Sequence, residues 1–549
     1  MDHLKYSAQD VLDFPQRSWP GRQLKVAPVW CSVDLRDGNQ SLEIPMSLEQ
    51  KLDYFRLLVE IGFKEIEVGF PSASETEFRF VRRLIEDDLI PDDVAIQVLT
   101  QSREHLIRRS FESLQGVKKG IVHLYNSTSP LQRDVVFGKS KEEILALAVS
   151  GAELLCELAD EYGRERFAFE YSPESFSQTE PDYAVEVCNA VIGCWEGAGL
   201  AHPIIINLPF TVETTLPNAH ADMVEYVCQR LQGRENLIVS LHAHNDRGTA
   251  VAATELCLLA GADRVEGTLF GNGERTGNAD LITLAMNLYS QGIDPGLDFS
   301  EIDRIAEIYT KYTNLPVHPR HPYAGSLVYT AFSGSHQDAI RKGMTRVTEK
   351  GGWTVPYLPI DPKDVGRSYD PIVRFNSQSG SSASAFLLET NYGIMLPKAM
   401  QRDFGPLVIA LSDKRGAELS AGDIYELFKD TYINRAQPAE LLDWKESREG
   451  EAGCIAATIR WQGKESRIEG SGNGVVEAFC AALMKATDKH FDIKHYSQHA
   501  LETGREARAI TYVAISTDNS ATAYGAGLSR NITTSSLKAV VSAFNSLFA

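Results

Sequence analysis

Eight short runs of β-branched and apolar residues, separated by stretches with helical periodicity, constrain the fold of this chain more than any other feature. Strands that alternate with helices are typical of repeated βα units. Eight such units favour an α/β fold in which the strands close into a (βα)8 TIM barrel over an open doubly wound sheet. Such a barrel commonly takes about 250 residues, so we expect it to span 29–312 after an N-terminal arm of 1–28. The predicted strands are Val29–Leu35, Glu65–Phe70, Val94–Thr100, Gly120–Ser127, Phe167–Tyr171, Pro203–Pro209, Leu237–Ala243 and Arg264–Phe270.

The segment after the first run shows how clearly the intervening helices are marked. Ser47 and Gln50 match a capping box, in which each side chain bonds the backbone of the other residue. Leu52 and Phe55 belong to one apolar stripe, and Gly62 supplies a stop signal. We therefore predict a helix that begins after Ser47 and ends at Gly62.

A different pattern begins near residue 431 and occurs twice. Cys454–Trp461 alternates apolar and polar residues, turns, returns to the glycine-rich Gly470–Gly474 and enters a helix. Ala509–Ser516 begins the same order again, with its glycines at Gly525–Gly527. The repeat predicts a C-terminal α+β domain over 431–549 with an internally duplicated unit, which pairs with itself or holds a small ligand between its halves. The stretch 313–430 is expected to be a folded connecting region.

Charge and composition exclude several classes of protein. The chain has 54 basic and 74 acidic residues and a net charge of −20, whereas a nucleic-acid binder normally shows a basic face. No stretch approaches the roughly 18 apolar residues of a membrane span, and the N-terminus lacks the pattern of a signal peptide. The eight cysteines fall at no CxxC spacing and indicate buried thiols in a reducing compartment. We therefore expect a cytoplasmic protein with neither a nucleic-acid nor a membrane partner.

Polar side chains at three strand ends predict a metal site. His242 and His244 end the seventh predicted strand, where a period of two turns both imidazoles to one face. Asp37 follows the first strand and Asn278 the eighth. Strands seven, eight and one are neighbours in a closed barrel, so these groups can meet at the C-terminal rim, where barrel enzymes place their sites. The arrangement suits a divalent cation; the alternative is a pair of hydrogen-bonded core histidines.

Arg36, next to Asp37, is the leading catalytic candidate. A fixed cation beside a carbonyl stabilises the negative charge that develops on its oxygen when a carbon–carbon bond forms at a ketone. The alternative is a structural salt bridge.

Further polar residues are placed at the rim of strands four to six: His123, Ser172, Glu174 and Thr211. Glu174 is either an acid or base or, as we favour, orients a neighbouring group. Ser172 and Thr211 suit a substrate carboxylate, or they cap the helices that follow.

Two motifs resemble signatures of the α-isopropylmalate synthase and homocitrate synthase family. Leu35–Gly38 with Gln40 and Lys51 is similar to the first signature, and Val239–Gly248 to the second. The longer bacterial members are also matched at Phe169–Ser175, Asn207–Pro209, Phe332–Asp338 and Pro356–Asp361. The resemblance implies a barrel, two small linker subdomains and a C-terminal leucine-sensing domain in a domain-swapped homodimer.

The resemblance also implies a reaction. Acetyl-CoA, 3-methyl-2-oxobutanoate and water would give 2-isopropylmalate and CoA in a Claisen-type condensation, with Mg²⁺, Mn²⁺ or Zn²⁺ and with K⁺ as an optional activator. His336 and Tyr369 of the partner subunit would help to remove the acetyl methyl proton or polarise the thioester, and Arg36 would stabilise the alkoxide. The implied metal ligands are Asp37, His242, His244 and Asn278.

The C-terminal repeat resembles the family's regulatory domain, which implies feedback inhibition by leucine. Its glycine-rich loops and the Tyr496–Ala500 segment are in matching places. The implied leucine contacts are Gly472, Asn473, Gly474, Ala478, Tyr496 and Ala500.

The choice of substrate follows in part from the strand ends. Leu208, Pro209 and Phe210 lie there with no cation besides Arg36, which favours a small branched side chain over the second carboxylate of 2-oxoglutarate. Arg133 lies in a loop that the sequence does not place. Apolar pockets discriminate one methylene by only about 1–3 kcal/mol, so a citramalate-type reaction stays open.

Two other functions are alternatives to the synthase. A metal-dependent acyl-CoA lyase would share the rim residues, but the C-terminal repeat and His336–Asp338 tell against it. A non-catalytic leucine sensor would lose a metal or base residue, and none is missing.

Overall fold

The chain forms two compact units in the computed structural model. The first comprises the described residues of Met1–Val328 and Ile360–Ser368, and the second those of Tyr329–Pro359 and Tyr369–Ala549. The predicted connecting region 313–430 therefore contributes to both units. The structure describes residues 3–5, 12–196, 202–330, 334–350, 352–368, 381–415, 419–449, 452–502, 504, 507–517 and 522–548.

Eight parallel strands of the first unit close into a barrel in chain order, with the first strand paired to the last. This confirms the predicted TIM barrel. The strands are β1 (Val29–Ser32), β2 (Glu65–Gly69), β3 (Ala95–Gln101), β4 (Gly120–Ser127), β5 (Phe167–Glu174), β6 (Ile204–Phe210), β7 (Leu237–Ala243) and β8 (Arg264–Gly267).

Helices follow the strands as the periodicity predicts. The first begins with the predicted capping box between Ser47 and Gln50 and ends at Gly62. Gly62 has φ 113°, a left-handed conformation that glycine adopts without strain. The helices of this unit are α1 (Leu48–Ile61), α2 (Glu75–Glu86), α3 (Glu104–Ser113), α4 (Lys141–Tyr162), α5 (Pro181–Glu196), α6 (Pro217–Cys228), α7 (Ala250–Leu259), α8 (Leu281–Ser290) and α9 (Ile302–Thr313).

Two strands, β1 and β8, end three residues earlier than predicted, and β2 ends one residue earlier. β1 stops at Ser32 because the chain enters a π-helical turn at Asp34–Gly38, and β8 stops at Gly267 before a short 3-10 turn. The turn after β1 contains the two residues that the sequence marks as a metal ligand and a catalytic cation. These residues therefore lie on a turn over the barrel end and not on a straight strand.

The second unit contains two three-stranded antiparallel sheets, ordered β11-β10-β9 and β12-β13-β14. Each sheet is followed in the chain by one helix, as the predicted duplication requires. Its elements are α10 (Gly334–Lys350), α11 (Ser381–Tyr392), α12 (Lys398–Arg415), α13 (Ala421–Tyr432), β9 (Ala439–Glu449), β10 (Ala452–Trp461), β11 (Lys464–Gly472), α14 (Val475–Thr487), β12 (Asp492–Ala500), β13 (Ala509–Ser516), β14 (Ala523–Ser529) and α15 (Ile532–Phe548).

Each repeat of the second unit begins with a strand that the sequence analysis does not predict, β9 or β12. β12 is almost entirely exposed, so it lacks the alternation of apolar and polar residues that marks a half-buried strand. β13 is buried along its whole length because both of its faces are covered. Val513 packs in the core of α14 and α15, whereas Ile510 and Tyr512 pack with the core of α11–α13.

None of the described helices combines the length and the apolar character that crossing a membrane requires.

Candidate active site and metal centre

The predicted metal ligands meet at the C-terminal end of the barrel. Asp37 Oδ2 lies 3.9 Å from His242 Nε2 and 4.0 Å from His244 Nε2, and all three side chains are buried. His242 is in β7, and His244 directly follows this strand. One carboxylate oxygen and two imidazole nitrogens therefore face one another at a separation that a single cation can bridge.

Asn278 joins this group through both its backbone and its side chain. It forms an isolated β-bridge with His244, and its amide nitrogen donates to Asp37 Oδ2 at 2.6 Å. Its Oδ1 is buried and has no hydrogen-bond partner among the described residues. A buried acceptor without a partner is costly unless a ligand satisfies it. The donor set, two nitrogens and up to two oxygens, thus fits a divalent cation.

The electrostatics keep Asp37 and His244 in the protonation states of metal ligands, whereas, against the effect of its burial, Glu266 and Asp37 raise the pKa of His242. Burial raises the pKa of Asp37, but Arg36 and the two imidazoles together lower it to about 2. Burial and the charge of His242 lower the pKa of His244 to about 4. At neutral pH the cluster therefore offers an ionised carboxylate and a neutral imidazole, the forms that bind metals.

Glu266 of β8 orients His242 from inside the barrel. Its Oε2 lies 2.8 Å from His242 Nδ1, and its Oε1 accepts from Gln97 at 2.8 Å and from Arg264 at 3.0 Å. Burial opposes ionisation, but Arg264 and the histidines hold the pKa of Glu266 well below its usual range. The arrangement turns His242 Nε2 toward Asp37, as carboxylate–histidine pairs do at metal sites.

Glu67 of β2 holds Arg36 and His123 together. Arg36 donates through Nε to Glu67 and through Nη1 to Asp37 Oδ1, the latter at 2.8 Å. The other oxygen of Glu67 lies 2.9 Å from His123 Nδ1. Arg36 therefore forms salt bridges, as the alternative interpretation of this residue predicted. The same bridges fix its guanidinium at the open end of the barrel.

These groups line a cavity of about 290 Å³ at the C-terminal end of the barrel. All of the predicted rim residues of the barrel contribute to it except Asn278, which lies buried beside it. Gln40, Asn207 and Pro209, which belong to the segments of the family resemblance, also line the cavity. The wall is completed by residues that the sequence analysis did not single out, Leu99, Tyr125, Glu274 and Arg275.

The predicted substrate contacts form hydrogen bonds to other residues of the protein. Ser172 Oγ lies 2.7 Å from His123 Nε2 and accepts from Asn207 Nδ2 at 2.9 Å. The Glu174 carboxylate accepts a hydrogen bond from the Ser127 hydroxyl, which fixes its direction. His123 lies in the middle of β4 and not at its end, yet it reaches the cavity.

Thr211 follows β6, and its hydroxyl oxygen accepts from the Ser175 backbone at 2.9 Å. Its hydroxyl proton is not used by that bond and can be donated toward the cavity that the side chain lines.

Two cations near this end of the barrel are neutralised. Arg133, which the sequence did not place, does not line the cavity; it forms a two-pronged pair with Glu180 at 2.9 and 2.8 Å. Arg275 lines the cavity, and its Nε donates to Asp246 at 2.7 Å. Arg36 is likewise paired, so a second substrate carboxylate would meet no uncompensated cation from these three residues.

Of the two predicted proton-transfer residues, His336 belongs to the second unit. His336 lies in α10 with an exposed side chain, and its ring lies 4.1 Å from that of Tyr357. Tyr369 lies outside the described residues.

A second cavity, of about 830 Å³, lies among α14, β12 and the start of α15. Asn473, Gly474 and Tyr496 line it, and Gly472 ends the adjoining strand β11. Three of the implied leucine contacts, Gly472 included, do not line it. Ala478 is in the apolar core, and Ala500 ends β12.

The chain is similar over its whole length to known proteins. Family models described as HMGL-like, alpha-isopropylmalate synthase post-catalytic domain-like and LeuA allosteric (dimerisation) domain match residues 27–308, 326–389 and 418–548. A 2-isopropylmalate synthase of Acetoanaerobium sticklandii is 54% identical across 100% of this chain and 97% of its own length. One of Clostridium acetobutylicum is 51% identical across 99% of each chain. The solved hydroxymethylglutaryl-CoA lyase of Pseudomonas aeruginosa superposes with a TM-score of 0.44 and 18% identity, covering 54% of this chain and 96% of that chain. From its similarity to the two synthases, the chain belongs to the 2-isopropylmalate synthase family.

Proposed function

We propose that the protein condenses acetyl-CoA with 3-methyl-2-oxobutanoate and water to give 2-isopropylmalate and CoA, the first committed step of leucine synthesis. The observation that carries the proposal is the buried cluster of Asp37, His242 and His244 with Arg36 at the wall of the same cavity. In this division of labour the barrel, 29–312, is catalytic, 313–430 connects, and 431–549 regulates.

The metal centre that we propose is formed by Asp37, His242 and His244, with Asn278 as a further ligand. A divalent cation such as Mg²⁺, Mn²⁺ or Zn²⁺ would hold the keto and carboxylate oxygens of the 2-oxo acid and polarise its carbonyl. Arg36 supports the same step, because its fixed guanidinium stabilises the negative charge that develops on the keto oxygen.

The bond-forming step requires removal of a proton from the acetyl methyl group. The methyl carbon then bonds to the keto carbon, and water cleaves the thioester to release CoA. We propose that the partner subunit's His336 and the partner subunit's Tyr369 assist the proton transfer or polarise the thioester. Glu174 has a fixed direction and serves as an orienting group at the cavity wall.

A domain-swapped homodimer is supported by an apolar rim around the open end of the barrel. Ile44 follows β1, Val135 and Val136 follow β4, and Leu216 follows β6; all four are more than half exposed. The carboxyl ends of parallel strands lie at one end of a barrel, so these residues surround the cavity of about 290 Å³, which we call the catalytic cavity. We propose that the partner's connecting region covers them.

The cavity favours a small branched side chain. Leu99 and Pro209 offer apolar surface, and Ser172 and Thr211 offer hydroxyls to the substrate carboxylate. Because Arg133 is tied to Glu180 outside the cavity and Arg275 to Asp246, a dicarboxylic 2-oxo acid would lose solvation without gaining a free cation. This supports 3-methyl-2-oxobutanoate over 2-oxoglutarate.

Leucine is the proposed effector, and we place it in the C-terminal cavity. Val476, Met484 and Ile493 supply apolar wall for its side chain, and the first turn of α14 supplies backbone N–H groups for its carboxylate. We also propose that the protein acts in the cytoplasm, which fits the eight free cysteines.

The identity of the product distinguishes the proposed condensation from the two alternative functions, an acyl-CoA lyase and a non-catalytic leucine sensor. Incubation with acetyl-CoA carrying ¹³C in the methyl group and with 3-methyl-2-oxobutanoate is expected to place the label in a methylene next to a new quaternary carbon, as read by NMR. Cleavage of hydroxyacyl-CoA without condensation would instead identify a lyase. No reaction with any 2-oxo acid, combined with intact leucine binding, would favour the sensor.

A further inference from the structure

An ion pair outside the catalytic cavity ties the segment after the barrel to the loop that carries Asn278. His321 Nε2 lies 2.9 Å from Asp280 Oδ2, and both side chains are nearly buried, with 11% and 12% exposed. His321 belongs to a turn that follows α9, and Asp280 is the N-cap of α8. Both residues are in the first unit.

Asp280 is rigidly connected to Asn278. The chain between them is extended and bonded on both sides, since Ala279 N donates to Ala243 O at 2.8 Å and Thr268 N donates to Ala279 O at 3.2 Å. Asp280 also caps α8 through a bond from Ile282 N at 3.1 Å. Asp280 therefore continues the bonded segment that holds Asn278 beside β7, which carries His242.

A second contact fixes the ring of His321. Its Nδ1 lies 2.9 Å from Pro322 O, so the ring is held between a carbonyl and a carboxylate. The turn around it is tight, because a Cβ on Gly325 would lie 2.3 Å from Pro319 O. Arg367 Nη1 donates to Gly325 O at 2.8 Å and holds the turn from the other side. His321 is thus a stiff support for Asp280.

We propose that His321 is a positioning residue for the metal centre: through Asp280 it holds Asn278 with its unpartnered Oδ1 turned to the cation. The inference rests on the metal centre proposed above. His321 does not line the cavity, so it acts on the cation only through the position of Asn278. Residues that support metal ligands typically contribute about 10–100-fold to metal affinity.

The test is direct binding of Mn²⁺ to the full-length protein, followed by the EPR signal of the free ion without substrates. His321→Ala is expected to weaken binding by about 10–100-fold, and His321→Gln, which keeps one donor, by less. Asn278→Ala is expected to weaken binding as well. The double variant His321→Ala/Asn278→Ala is expected to bind as Asn278→Ala does, because the two residues act through one contact.

Tyr323→Phe is the matched control. Tyr323 lies on the same turn, and its hydroxyl donates to Asn287 Oδ1 at 2.8 Å. Asn287 lies in the second half of α8, whereas Asn278 precedes this helix. The control is expected to bind Mn²⁺ as the wild type does. Three results would overturn the proposal. They are wild-type Mn²⁺ affinity in a folded His321→Ala variant, an equal loss of affinity in Tyr323→Phe, and losses of affinity that add in the double variant. Unchanged binding in Asp37→Asn would instead show that the metal centre itself is misplaced.

Discussion

The catalytic cavity and the C-terminal cavity differ in size and in chemistry. The first holds about 290 Å³, and its wall contains charged groups that are fixed by buried partners, as Arg36 is by Glu67. The second holds about 830 Å³, and its wall is mostly apolar, with Met484, Phe491 and Ile493. One is built to stabilise charge, and the other to enclose an apolar side chain.

Because the two cavities differ in this way, we expect the proposed chemistry and the proposed regulation to be separable. Fixed charges in a small cavity stabilise a transition state because they need no reorganisation during the reaction. An apolar cavity gains affinity from the burial of surface, about 25 cal/mol per Å², and requires no such precision. Changes in the first cavity are therefore expected to affect turnover, and changes in the second the response to leucine.

The largest effect is expected from loss of a metal ligand. His242→Ala should lower kcat by well over about 100-fold, more than is usual for residues that only support a ligand. Leucine binding, measured by calorimetry, should be retained. His202→Ala at the opposite end of the barrel is the control and should keep its activity. If His242→Ala lost both turnover and leucine binding, the two cavities would not be functionally separate.

Loss of the catalytic cation is expected to be nearly as severe. Arg36→Gln should lower kcat by about 100–1,000-fold, as removal of one oxyanion-stabilising donor does. Arg133→Gln, at the same end of the barrel but paired with Glu180 outside the cavity, should change kcat little. Equal losses in the two variants, from steady-state assays at saturating metal, would reduce Arg36 to a structural salt bridge.

A change in the C-terminal cavity should show the opposite pattern. Tyr496→Ala removes part of the wall and a hydroxyl that lies 2.7 Å from Ser536 Oγ. Leucine inhibition should weaken by about tenfold, equivalent to about 1.4 kcal/mol, while kcat without leucine stays unchanged. Tyr524→Phe, outside this wall, should respond as the wild type does. Unweakened inhibition in Tyr496→Ala would move the effector site elsewhere.

The smallest effect concerns the stability of the metal-free protein. Burial first, and then the charge of His242, lower the pKa of His244 from 6.5 to about 4. Between these values the unfolded chain binds more protons, so this residue's contribution to the free energy of unfolding falls as the pH drops from 6.5 to 4. Thermal unfolding should show a weaker pH dependence in His244→Gln over this range. An unchanged slope would mean that His244 is not held neutral by burial.

The barrel and the metal cluster could be predicted because they leave periodic signals. The eight apolar runs mark the strands, and His242 and His244 share a face because a strand has a period of two. Glu67 and Glu266 were missed, although each is a carboxylate inside a strand and directly follows a buried apolar residue, Ile66 or Val265. A carboxylate at such a position was the available signal for the polar interior of the barrel.

Other features could not be read from the sequence. β12 is an exposed edge strand whose polar residues give no alternation, and Arg133 finds Glu180 only through the packing of loops. The pair of His321 and Asp280 joins residues that are distant in the chain and belong to no motif. Such contacts depend on tertiary packing and not on local periodicity.

Release of the CoA thiol from acetyl-CoA tests the central claim most directly. The wild-type protein should be assayed with 3-methyl-2-oxobutanoate, pyruvate and 2-oxoglutarate, each with and without a metal chelator and with and without leucine. We predict release that is fastest with 3-methyl-2-oxobutanoate, stops on chelation and resumes when a divalent cation is returned, and is suppressed by leucine. Release that persists in the metal-free protein, or that is fastest with 2-oxoglutarate, would contradict the account.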